Sequence, residues 1–341
     1  MKITLRLLSI VAFMIIVINS YGQESINSLK GQLNVHDPVM IKQGDTYYVF
    51  STGRGISIKT SKDRINWTNT GRVFTTEQLP SWHKTDIPNQ DGSLWAPDIH
   101  YSNGKYHLYY SVSAWMNFNS SVGYATNTTL NPMDPDYKWV DQGQVIGYKN
   151  GGGGVNCIDP NVFTDKDGKE WLVYGSYKSG LRLVELDNKT GKLFNEKPEL
   201  TTITTSLGEG SYIIKGPKYY YLFASRGKCC AGIASTYQIV IGRSKDIKGP
   251  YLNKLGESWV DNKYTLFLEG NYDEPGRGHN GFFAEHDTTF IVYHAYTRSA
   301  NGASLLNIKT LYMDDQDWPT ITPTKTLFKM PKWEMKTFAG K

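Results

Sequence analysis

Beyond the first two dozen residues, apolar positions seldom recur at helical spacing. Short runs rich in Tyr, Val, Ile, Phe and Trp alternate instead with Gly, Asn, Asp and Lys. Runs at 46–51, 105–112, 170–174, 218–224 and 289–293 read as strands, and the residues between them read as turns. The pattern predicts an all-β chain.

The strand groups also repeat. Five stretches share one plan: VHDPVMIKQGDTYYVFST from Val35, WAPDIHYSNGKYHLYYSVS from Trp95, CIDPNVFTDKDGKEWLVYGSY from Cys157, GEGSYIIKGPKYYYLFASRG from Gly208 and GRGHNGFFAEHDTTFIVYHAY from Gly276. Each opens on a polar residue, namely Asp37, Asp98, Asp159, Glu209 and His279. A short strand, a tight turn and an aromatic strand follow. A third strand is expected at 57–63, 122–126, 181–186, 238–244 and 304–310. Units of 50–60 residues with several antiparallel strands suit a β-propeller, and five units predict five blades. A repeat sets equivalent residues at equivalent depth around one axis, so the five opening residues should converge on a central channel. In a sandwich of ordinary hairpins they would scatter.

The first residues read as a secretory leader. Lys2 and Arg6 form a charged region, residues 7–18 are apolar, and Ser20 and Gly22 are small residues placed for a cut after Gly22. The expected organisation is a signal peptide over 1–22 and one domain over 23–341, exported to the periplasm or beyond. No later run is long enough to span a bilayer, so no membrane association is expected after the leader is removed. The net charge of +5 in 341 residues includes Lys2 and Arg6, and no Lys/Arg run of nucleic-acid type occurs. The 23 Tyr and 9 Trp fit strands and flat sugar-binding surfaces alike.

The motifs VHDP, WAPDI, CIDPNVF, GEGSY and GRGHN, in this order, resemble glycoside hydrolase family 43, and its arabinan-degrading members most. The resemblance spans roughly residues 30–325. It implies a five-bladed propeller that hydrolyses arabinose- or xylose-containing glycans with inversion. Carried onto this sequence, it implies Asp37 as general base, Glu209 as general acid and Asp159 as the acid that tunes and orients the proton donor. It implies His279 near an axial metal, taken as calcium. No organic cofactor is expected, and the chain is expected to act as a monomer.

The residue types suit the chemistry. Glycoside hydrolysis needs one protonated carboxyl for the leaving oxygen and, for inversion, one carboxylate that activates water from roughly 6.5–9.5 Å away. Different blades can supply that gap. Glu209 then needs a raised pKa, which like-charge repulsion from Asp159 would provide, while Asp37 must stay ionised. Each residue also has a plainer reading. Asp-Pro starts ordinary turns, and a lone His is commonly a satisfied core residue. With no HExxH or Cys/His cluster, any cation at His279 should be a hard one held mostly by water and oxygen. Asp98 either lines the channel or bonds the backbone between blades, and the second role is favoured. Trp95 and Phe118 are candidates to stack on sugar rings or to pack between blades, and Asn156 is a candidate hydroxyl contact.

Other signals are weaker. GRGHNG formally matches a nucleotide fingerprint, but no helix follows it. DKDG at 165–168 fits a hairpin turn better than a calcium loop, because Lys169 falls at the next ligand position. Gly151–Gly154 is either a cleft rim or a linker. Adjacent Cys229 and Cys230 are expected not to bond each other, leaving one to pair with Cys157. The expected function is internal cleavage of α-1,5-linked L-arabinan. The alternatives are an exo-acting α-L-arabinofuranosidase or β-xylosidase, and a non-catalytic glycan-binding propeller.

Overall fold

The computed structural model describes residues 29–115, 117, 119–149 and 155–340. The leader, Phe118 and Gly151–Gly154 lie outside the described residues. The all-β expectation holds: five mainly antiparallel sheets follow one another along the chain. The first holds β1 (Val39–Gln43), β2 (Thr46–Ser51), β3 (Ser57–Ser61) and β4 (Asn66–Arg72). The second holds β5 (Ser93–Ser102), β6 (Lys105–Ser113), β7 (Ser120–Asn127) and β8 (Val140–Tyr148). The third holds β9 (Asn161–Thr164), β10 (Glu170–Ser176) and β11 (Gly180–Asp187), with two short strands beyond. The fourth holds β12 (Glu209–Lys215), β13 (Tyr220–Arg226), β14 (Gln238–Ser244) and β15 (Thr265–Leu268). The fifth holds β16 (Gly276–Glu285), β17 (Thr288–Thr297) and β18 (Ala303–Thr310). A small three-stranded sheet lies between residues 312 and 327.

The second strand of each sheet is nearly all buried, as in β10, where all seven residues are. Burial on both faces explains why these strands read as continuous aromatic and β-branched runs rather than as alternating ones. The first strands meet in order: β1 touches β5, β5 touches β9, β9 touches β12, β12 touches β16, and β16 returns to β1. The chain ends help to close this ring. Val35 donates its backbone N–H to Ser304 and Leu306 donates to Leu33, so the N-terminal segment edges the fifth sheet. At the other end of β1, Lys42 and Gln43 pair with Ala339 and Gly340. The segment before that pair buries Glu334 and Phe338, and the Glu334 carboxylate accepts the Lys215 N–H at the end of β12.

Aromatic contacts join neighbouring sheets. Phe223 is fully buried, with its ring 5.0 Å from Phe267 and 4.7 Å from Phe282 in the next sheet. Phe223→Ala is expected to cost roughly 3–5 kcal/mol, because so tight a site cannot collapse onto the vacated volume. Denaturant unfolding measures it, and a loss below about 1 kcal/mol would refute that packing.

Candidate active site

The site is built on five backbone corners, one before or within each first strand. Asp37, Ala96, Asp159, Gly210 and His279 all have positive φ, between 44° and 56°. Asp, Gly and His tolerate this region comparatively well, but strain of about 1–3 kcal/mol at a non-glycine residue persists only where the surroundings impose it. Those surroundings are regular. Each corner donates its backbone N–H to a side chain of the preceding sheet: Asp37 to His294 Nδ1 (3.1 Å), Ala96 to Thr52 Oγ1 (2.8 Å), Asp159 to Ser111 Oγ (2.8 Å), Gly210 to Asp159 Oδ2 (3.0 Å) and His279 to Ser225 Oγ (2.7 Å). The corners turn Asp37, Asp159 and His279 into one cavity, with Glu209 beside Gly210. Gly210 is required twice, for its φ of 56° and because a Cβ there would lie 2.8 Å from His279 Nδ1.

Asp37 sits among imidazole and hydroxyl partners. Its Oδ1 lies 3.0 Å from His279 Nδ1, and its Oδ2 lies 2.9 Å from His36 Nδ1 and accepts the Thr52 hydroxyl at 2.5 Å. Burial alone would raise this carboxyl, but the two imidazoles pull it well below the usual range. Asp37 therefore stays an acceptor throughout the neutral and mildly acidic range. His279 shifts the opposite way. Burial would lower it, yet Asp37 beside it raises it to about 9. His294 accepts the Asp37 N–H at Nδ1, which places its own proton on Nε2. Burial holds its pKa well below the usual value.

Asp159 and Glu209 behave as a pair. Burial raises Asp159 to about 7; His279 opposes this, and Glu209 and Asp37 add to it. Glu209 also moves up, first by burial, against the Tyr237 hydroxyl that donates to Oε1 at 3.0 Å. Repulsion from Glu209 adds to the rise at Asp159, whereas at Glu209 the carboxylate that adds to the rise is Asp37, and burial comes first for both. A pair that cannot ionise together holds one proton near neutrality, as a general acid requires. Asp159→Asn removes a negative neighbour, so Glu209 should ionise at lower pH. The alkaline limb of the pH–rate profile is then expected to move to lower pH, and an unmoved limb would rule out this coupling.

Two adjoining cavities of about 460 and 330 Å³ share Trp95, Trp115, Ile158, Glu209, Cys229 and Cys230. Both fall in the usual range for ligand pockets, roughly 300–1,000 Å³. Asp37, Asp159 and His279 line the larger one, and Asn156 lines the smaller. Asn156 donates from Nδ2 to Ser176 Oγ, and its buried Oδ1 has no partner among the described residues. Trp95 lines both cavities, at their junction. Trp115, 72% exposed on the shared wall, joins it.

Two expectations are corrected. Asp98 does not occupy the corner; Ala96 does, and Asp98 sits two residues further along β5. There it accepts the Val162 N–H (2.7 Å) and the Asn161 side-chain amide (3.2 Å) of the next sheet, which is the favoured backbone role. The second correction concerns the cysteines. Cys229 and Cys230 are bonded to each other, and Cys157 is free. Cys157 is committed elsewhere: it is buried in the core of the second and third sheets, where burial lifts its thiol to about 12. The two decoy motifs stay decoys, since GRGHNG lies inside β16 and DKDG forms the turn after β9.

His279 belongs to neither group of possible metal ligands among the described residues, so a cation there would have to be held mostly by water. Nδ1 faces Asp37, which leaves Nε2 as the nitrogen for a metal. The next residue, Asn280, and Ser211, the residue after Gly210, carry buried polar atoms with no partner among the described residues.

Sequence reasoning missed His36, Thr52, Tyr237, His294 and Tyr296, all at or beside the cavity. A signal for some of them existed. Thr52, Ser111, Ser225 and His294 fall in matching places at the ends of the aromatic runs YYVFST, LYYSVS, YLFASR and IVYHAY, where each accepts a corner N–H.

Residues 31–319 match glycosyl hydrolases family 43. The chain is 41% identical over 303 residues to an extracellular exo-α-(1→5)-L-arabinofuranosidase of Cellvibrio japonicus, covering 85% of this chain and 87% of that one. It is 38% identical over 296 residues to an extracellular endo-α-(1→5)-L-arabinanase of Bacillus subtilis, again covering 85% and 87%. It superposes on the α-L-arabinanase of Cellvibrio cellulosa, solved with arabinohexaose, with a TM-score of 0.81 and 40% identity, covering 85% of this chain and 96% of that one.

Proposed function

The chain belongs to glycosyl hydrolases family 43, and from that premise we propose that it is an exported enzyme that hydrolyses α-1,5-linked L-arabinan at internal bonds, with inversion. The observation that carries this is the position of Glu209 at the junction of two adjoining cavities, with Asp37 in one of them. Space on both sides of the proton donor suits a chain that continues past the scissile bond. The cyclic contacts of the first strands and the ring of corner hydrogen bonds support five blades around one axis.

In this reading the glycosidic oxygen lies against Glu209, which gives up its proton as the bond breaks. Asp37 takes a proton from the water that attacks the opposite face. Thr52, His36 and His279 hold the Asp37 carboxylate in place and charged, so it stays basic by position rather than by a high pKa. Asp159 orients the Gly210 corner through its N–H and keeps the proton on Glu209 by repulsion. Trp95 and Trp115 offer apolar faces to the sugars and exclude water.

A calcium ion at Nε2 of His279, held otherwise by water, is part of the proposal, and it would displace the Nε2 proton that the ring carries without the ion. It would supply positive charge that keeps Asp37 ionised. Removing it with a chelator is expected to raise the pH of the acidic limb of turnover, and calcium should restore it. A profile that chelation leaves unchanged would remove the ion from the account.

A chromatographic time course on debranched linear arabinan tests the reading. A ladder of oligosaccharides from the first time points is expected. Monosaccharide alone from the start would assign the chain to the exo-acting alternative. Binding without any product would indicate a glycan-binding protein.

A further inference from the structure

We propose that Cys229 and Cys230, once reduced, form with His36 a site for a soft or borderline divalent cation, such as Zn²⁺ or Cd²⁺, inside the cavity. The three groups already stand together. His36 Nε2 lies 3.7 Å from Cys229 Sγ and 3.8 Å from Cys230 Sγ. In a tetrahedral zinc site with Zn–S of about 2.3 Å and Zn–N of about 2.0–2.1 Å, sulfur and nitrogen stand roughly 3.6 Å apart. The nitrogen therefore needs almost no movement, and the sulfurs need only separate from each other. Cys230 is exposed and Cys229 partly so, which leaves both free to turn.

The imidazole is also oriented for the task. Its Nδ1 faces Asp37 Oδ2 at 2.9 Å. That contact keeps the proton on Nδ1 and the lone pair on Nε2, pointing at the sulfurs. A carboxylate–imidazole–metal chain of this kind orients many protein zinc sites. The Tyr296 hydroxyl, now 2.7 Å from Nε2, would turn away. Two thiolates and one imidazole select soft and borderline metals over calcium. The second nearby set, His36, Asp37 and His294, holds no sulfur and so lacks the soft ligands.

The chemistry balances with a phosphine as reductant. The phosphine attacks one sulfur and breaks the S–S bond. Water then gives its oxygen to phosphorus, leaving a phosphine oxide, and its two protons end on the two sulfurs. Cation binding releases those two protons to solvent and leaves one position open to water. Both cysteines line both cavities, so the ion would stand beside Glu209 where the sugar chain must pass. The disulfide thus keeps metal out of the cleft.

Cadmium titration of the full chain, followed by equilibrium dialysis and by the ultraviolet thiolate–cadmium absorbance, tests this without any turnover assay. It therefore stands or falls apart from the hydrolytic reading. The phosphine-reduced protein is expected to bind one equivalent with that absorbance, and the oxidised protein none. Reduced protein alkylated at both exposed thiols, and Cys229→Ser/Cys230→Ser, should also bind none. His36→Gln should weaken binding by at least the roughly 10–100-fold that loss of an outer-sphere partner costs. Equal binding by oxidised, alkylated or doubly substituted protein, or an unchanged affinity in His36→Gln, would overturn the proposal. Cys157 does not confuse the count, since its buried thiol stays protonated.

Discussion

Glu209→Gln is expected to lower kcat on linear arabinan by roughly 10²–10⁴-fold, the usual contribution of a positioned general acid. The amide keeps the shape of the side chain and can still accept from Tyr237, which donates to Oε1 in the native protein. Folding and substrate affinity should therefore change little. The loss should depend on the leaving group. An aryl arabinofuranoside departs as a stabilised phenolate and needs little protonation, so it should recover most of the rate. An equal loss on both substrates would place the defect outside proton donation, and an unaffected rate would remove Glu209 from the chemistry.

Asp37→Asn is expected to be as damaging, with the opposite dependence. Without the carboxylate no group takes the proton from the attacking water, so natural and aryl substrates should lose alike, by roughly 10²–10⁴-fold. Two structural consequences should accompany it. In chelator-treated protein His279, raised to about 9 by the Asp37 carboxylate, loses its partner and should titrate at lower pH. The corner itself should survive, because Asn tolerates positive φ and the Asp37 N–H bond to His294 involves only backbone on that side. Parallel steady-state assays on the two substrate types separate this residue from Glu209. Matching leaving-group profiles for the two variants would contradict the division of roles.

Much of this was legible in the chain. The strands at 46–51 and 238–244 fall where periodicity put them, because their burial depends on local composition. The convergence of Asp37, Asp159, Glu209 and His279 followed from phase in the repeat. What phase could not supply was the corner. The residue that lines the cavity is the one with positive φ, and a run such as WAPDI does not reveal that Ala96 takes it while Asp98 bonds the next sheet. His294 was hidden for another reason. It lies in an aromatic run and reads as strand core, while its function depends on a bond to a residue 257 positions away. The cysteines misled because a general strain argument was applied to a local loop. Cys157 faces a separate core, so only the adjacent pair can meet.

The account rests on Asp37 and Glu209 acting on opposite sides of one bond with a water between them. The stereochemistry of the first product measures that directly. Proton NMR of an α-1,5-linked arabino-oligosaccharide digest, taken before mutarotation, should show the new reducing end first in the β configuration. A first product in the α configuration would mean retention through a covalent intermediate and would contradict the assignment of Asp37 as a base.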